Sequence, residues 1–135
     1  MIKHFILWLA DVSGLEVGTD LFLDRFPQDA PDNAVLVAER ISASVDPYNA
    51  TRRDHRIQIV VRGQSMIAAR SDAEAVFARM VNLRNLSLAD YATTGEGQFS
   101  IYVSTDCQAP AYIGQDEKKR FIYSGNVTLK VKEEN

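Results

Sequence analysis

An α+β fold is predicted, in which a mostly antiparallel, twisted sheet carries two helices packed on one face, with long loops or hairpin arms reaching past the core. Three observations predict it. Two segments, 2–12 and 65–82, place apolar residues at helical spacing, and several others alternate apolar and polar residues at the period of a half-buried strand. The strands also follow one another through short turns. Such turns favour antiparallel pairing and leave the helices to form a second layer.

Ile2, Phe5, Ile6 and Leu9 fall at i, i+3, i+4 and i+7, a stripe widened by Leu7 and Trp8, and Ser13-Gly14 stops the helix. Asp20 to Phe26 reads as a short strand, followed by a turn through Pro27, Pro31 and Asp32-Asn33. Asn33 to Ile41 is β-branched and apolar, as in a largely buried strand. Residues 42–54 have no apolar period and read as an exposed loop or an extended hairpin arm. Arg56 to Arg62 is the clearest strand, with Ile57, Ile59 and Val61 on one side and Arg56, Gln58 and Arg62 on the other. Gly63 ends it, and Ser65 can cap the helix 65–82, whose apolar face is Met66, Ala69, Ala73, Val76, Phe77 and Met80.

The stretch 84–97 is irregular. Residues 98–104 alternate again, 109–113 form a weaker strand, and 115–119 are a charged turn. A long strand over 120–132 follows, kinked or bulged at Ser124-Gly125. There is no repeat, low-complexity block or internal linker, so residues 1–135 are expected to form a single domain.

The composition excludes several functions. Fifteen basic against 18 acidic residues give a net charge of -3, which disfavours wrapping nucleic acid through its phosphates. One cysteine, Cys107, allows no internal disulfide and reads as an ordinary reduced thiol. The apolar run Phe5–Ala10 is too short for a signal peptide, and no stretch is long enough to span a membrane. The glycosylation sequons at Asn49, Asn85 and Asn126 are therefore expected to be chance matches.

Chemistry is hard to place. His4, His55 and Cys107 make no metal-binding pattern. Asp54-His55 has no partner nucleophile and reads as a solvated strand start. Gly95-Glu-Gly97 precedes a strand, whereas a phosphate cradle needs a helix there. No cofactor, metal or catalytic residue is expected. The remaining features are polar strand faces, two excursions at 42–54 and 104–120, and two basic clusters, Arg52-Arg53 with Arg56 and Lys118-Lys119-Arg120. Exposed edges and arms suit a subunit that joins other chains. Asp46, Tyr48, Arg52, Arg53, Arg56, Gln58, Arg62, Tyr112, Lys118 and Lys119 are the candidate interface residues.

The unit Arg56-Ile-Gln-Ile-Val-Val-Arg-Gly63 runs directly into the Ala-rich segment Ser65–Phe77, followed by Leu83 and Leu86. It resembles the strand–helix unit of tail-terminator (tail-completion, minor capsid-type) proteins of long-tailed bacteriophages. The opening amphipathic helix and the closing segment Phe121–Val131 are similar to that family as well. Only 56–83 is close by motif, while the order of elements matches over the whole chain.

The resemblance implies a non-enzymatic virion protein without cofactor, assembled in the host cytoplasm. It implies a ring, commonly a hexamer, that caps the tail tube, ends its polymerisation and offers the head-connector side a joining surface. DNA would pass through the lumen without specific binding. Two other readings compete. One is a head-closure or tail-tube protein, expected to be more uniformly β-rich. The other is a small α+β enzyme or ligand binder, which would need a pocket of converging polar groups.

Overall fold

The computed structural model describes residues 1–45, 51–93 and 97–134. Helix α1 (Ile2–Ser13) leads into β1 (Leu21–Leu23), β2 (Ala34–Val45) and β3 (Arg52–Gly63). Helix α2 (Met66–Met80) is followed by β4 (Arg84–Ser87), a 3₁₀ turn (Ala89–Tyr91), β5 (Gln98–Gln115) and β6 (Phe121–Glu134). The strands form one sheet in the order β1-β2-β3-β6-β5-β4. All neighbours are antiparallel except β1, which runs parallel to β2. The α+β class and the mostly antiparallel sheet thus agree with the sequence. The parallel β1 does not follow from short turns, because residues 24–33 carry the chain back before β2 begins.

Helix α1 ends where Gly14 turns left-handed (φ 74°) and its N–H reaches the Ala10 carbonyl at 3.0 Å. Helix α2 starts with Ser65 accepting the Ala68 N–H at 3.4 Å. Both helices lie on one face of the sheet. Their buried residues Phe5, Ile6, Trp8, Leu9, Ala69, Ala73, Val76 and Met80 share one core with Ile57, Ile59, Val61, Ile101, Val127, Leu129 and Val131. Ala69 and Ala73 are almost fully buried, and their small side chains let α2 sit close on β3. Among the described residues no helix is long and apolar enough to cross a membrane.

Several sequence expectations change. The strand expected over 20–26 is only Leu21–Leu23. Of the two readings of 42–54, the hairpin arm is the one found: β2 runs on to Val45 and β3 begins at Arg52, paired antiparallel. Register shifts between Glu39, Ile41 and Ser44 break the period of two, so the sequence hides the pairing.

The excursion at 104–120 is likewise largely strand. Residues 98–104 and 109–113 belong to the single strand β5, which carries four register shifts against β6. The irregularity expected at Ser124-Gly125 lies on β5, since β6 pairs with β3 through both residues without a shift. Gly125 marks where β5 folds against it. A Cβ there would stand 3.0 Å from the Gln108 carbonyl oxygen and 3.2 Å from Pro110. Part of the irregular stretch 84–97 is the edge strand β4.

Candidate assembly surface

Register divides the candidate residues between two faces and two ends. Partners across β3 and β6 share a face, so Ile57, Ile59 and Val61 sit with Val127 and Tyr123 under the helices. Arg52, Asp54, Arg56 and Gln58 sit with Lys132, Lys130, Thr128 and Asn126 on the open face. Neighbouring residues of a strand point to opposite faces. Arg52 and Arg53, read together as one cluster, are therefore separated. Arg53 lines a hollow of about 150 Å³ on the helix side, with Met1, His55 and Phe99.

The open face is a polar lattice. Arg40 Nη1 donates to Gln58 Oε1 at 2.9 Å, and Gln58 Nε2 donates to Ser124 Oγ at 2.6 Å. Asn126 Nδ2 donates to Gln108 Oε1 at 3.1 Å. Arg52 lies over the Tyr102 ring, 5.3 Å from its centre. Among the described residues Lys130 is the cation on this face with a carboxylate partner, Asp54 at 3.4 Å. Arg52 and Lys132 are direct cross-strand partners of like charge, an arrangement that works against the isolated fold. Shallow grooves of about 340 and 410 Å³ run across this face, the first beside Arg40 and Arg56, the second beside Arg52 and Lys132.

Arg62 departs from the expectation that it stands in solvent. It lies on the open face by register, but residues 26–31 cover it and leave 6% of it exposed. Its Nη2 donates to the carbonyls of Ala30 (3.1 Å) and Pro31 (2.8 Å), and the guanidinium lies 4.2 Å from the centre of the Phe26 ring. Burial, with Arg120 nearby, pushes its pKa down. Its visible contacts are structural.

His55 is also not solvated. It is buried on the helix side, with Nδ1 2.7 Å from Glu39 Oε1. Cys107 is exposed, and its thiol is pushed up by partial burial and by Asp106 against a hydrogen bond with Ser104.

The remaining described candidates gather where β5 turns into β6. Tyr112 is 45% exposed, with its ring 5.6 Å from that of Tyr123 and 6.3 Å from that of Phe121, and neighbouring Ile113 is 62% exposed. Lys118 and Lys119 are exposed on the turn. Asp116 builds that turn by accepting the N–H groups of Lys118 and Arg120, each at 3.0 Å, and Arg120 Nε at 2.7 Å. Burial alone would raise its pKa. The hydrogen bonds from Arg120 and Lys118 and the Arg120 charge outweigh burial and hold it below the usual carboxylate range.

A group with a depressed folded pKa stabilises above its unfolded pKa, about 4, and loses that contribution as pH falls through the lower folded value. The stability difference between wild type and Asp116→Asn is therefore expected to be constant near neutral pH and to close in acid below about pH 4. Urea unfolding at a series of pH values measures it, and a gap that persists undiminished in acid contradicts the assignment.

Asp46 and Tyr48 lie outside the described residues. Arg40, Lys130 and Lys132 were missing from the candidates, although the alternation of the last strand already exposes the two lysines. What brings them beside Arg52 and Arg56 is register between distant strands, which no local pattern shows. Among the described residues no group of three or more His, Cys, Asp or Glu side chains could hold a metal ion.

The architecture is that of a sheet-and-helix protein whose surfaces are polar faces and open strand edges. The chain belongs to the bacteriophage tail terminator family, whose model, described as "Bacteriophage tail terminator protein", matches residues 8–133. It is a structural phage tail protein and not an enzyme. Among curated proteins none matches. Among solved structures the chain is similar in fold to one in the "Virion of native gene transfer agent (GTA) particle", with a TM-score of 0.56 and 16% identity over 92% of this chain and 84% of that one.

Proposed function

We propose that six copies of this chain close into a ring that caps the phage tail tube, ends its polymerisation and presents a joining surface to the head side. DNA passes through the lumen without sequence-specific contact. Family membership sets the class. The observation that carries the geometry is that the sheet stays open at both edges, with β1 at one side and β4 and the far half of β5 at the other. A sheet with two unlike open edges suits repetition around an axis, because one edge of each copy meets the opposite edge of the next.

The test is assembly. Solution mass and negative-stain images of the purified chain, alone and with tail-tube protein, are expected to show rings with a central hole. Tube polymerisation is expected to stop at shorter lengths when the chain is added. A chain that stays monomeric with tube protein present, and leaves tube length unchanged, overturns the reading.

A further inference from the structure

The two edges of the sheet carry opposite charge in the same half of the molecule. That half is where β2 and β6 begin and β3 and β5 end. On the β1 side, Glu16 and Asp24 are exposed beside the edge strand. Their neighbour Asp20 is occupied by the Glu16 N–H at 2.7 Å, and Asp32 is ion-paired to Arg120 at 3.3 Å. Arg25 is the only cation between residues 11 and 32. On the β5 side, Lys118 and Lys119 outnumber Glu117, since Asp116 is held by Arg120 at 2.7 Å. Beside them stand the exposed side chains of Tyr112 and Ile113.

We propose that the β1 edge of one copy docks on the β5 edge and the 116–120 turn of the next, with Glu16 and Asp24 facing Lys118 and Lys119. This deepens the ring reading and rests on it. The partner is a second copy because the chain itself supplies the complementary charge. The two patches lie on opposite edges of the sheet, so no two-fold axis can match them, and the contact is head-to-tail.

Strand direction agrees. β1 runs parallel to β2, whereas β5 runs opposite to it through β3 and β6, so β1 meets the neighbouring β5 antiparallel. Pro110 lacks an N–H, and the register shifts of β5 break its outer edge, so the contact is made by side chains and not by a continuous ladder.

The full-length chain tests this with Lys118→Glu/Lys119→Glu and Glu16→Lys/Asp24→Asn, all at exposed positions; asparagine keeps the left-handed backbone of Asp24 (φ 68°). Each double variant alone is expected to need at least tenfold more protein to form rings than wild type, with unfolding temperature unchanged. Mixed in equal amounts they are expected to restore ring formation, because alternating copies again present unlike edges. Wild-type rings are expected to loosen with added salt.

Rings from either variant alone at wild-type concentration overturn the proposed contact and leave the ring reading standing. Loss in both variants without rescue on mixing also overturns it. If wild type forms no ring even with tube protein, the ring reading itself falls.

Discussion

Arg62→Ala is expected to lower the unfolding temperature by roughly 10 °C, whereas Arg56→Ala, on the same strand and face, is expected to change it hardly at all. The difference lies in what each guanidinium touches. Arg56 is exposed. Arg62 donates to the carbonyls of Ala30 and Pro31 and stacks on Phe26, tying the 26–31 segment to β3. Hydrogen bonds to a charged group contribute about 1.5–3 kcal/mol and a desolvated cation–π contact about 1–2 kcal/mol.

The loss of both comes to about 3 kcal/mol, and at roughly 3–4 °C per kcal/mol for a chain of this length it gives the stated shift. Lysine is expected to recover only part of it, because a point charge cannot present two donors in a fixed fork while lying flat on a ring. Thermal unfolding followed by circular dichroism measures all three variants. Equal shifts for Arg56→Ala and Arg62→Ala would refute the structural role of Arg62.

Phe5→Ala is expected to cost more, about 3–5 kcal/mol. Phe5 is fully buried, with its ring 5.5 Å from that of Trp8, and shares the core with the strands and α2. Truncation removes most of a large apolar surface and leaves a cavity that a packed helix-on-sheet layer cannot easily close. Ser71→Ala, at an exposed position of α2, is the control, with an expected change within about 0.5 kcal/mol. Chemical denaturation with matched slopes separates the two, and a Phe5→Ala cost below about 1 kcal/mol would show that α1 is not part of the core.

The regular elements were legible because their signals are local. The stripe Ile2, Phe5, Ile6, Leu9 marks α1, and Phe5, Ile6 and Leu9 are indeed among its most buried residues. Ile57, Ile59 and Val61 mark the buried face of β3, and Ser65 caps α2 as its position indicates. The strands β2 and β5 were legible only in part. Their extra residues shift the period wherever the register slips, so the end of β2 reads as loop or hairpin arm and β5 reads as two separate pieces.

The candidate surface was less legible still. Arg56, Gln58 and Arg62 follow the same alternation, yet only register and the path of 26–31 separate an exposed Arg56 from a buried Arg62. The charge of the edges was equally hidden. A net charge of -3 averages over a chain whose β1 edge is acidic and whose 116–120 turn is basic.

The sequence by itself determined the class of fold, the positions of both helices, the buried sides of the strands and, through the unit 56–83, the family. These follow from periodicity and from one strand–helix motif, which neighbouring residues carry without help from the rest of the chain. Tertiary structure decided which polar residues share a surface, that Arg62 and His55 turn inward, and that unlike charges stand on opposite edges of one sheet. The reason is physical. A side chain's exposure and its charged neighbours depend on pairings between residues far apart in the chain, and those exist only once the sheet has closed its register.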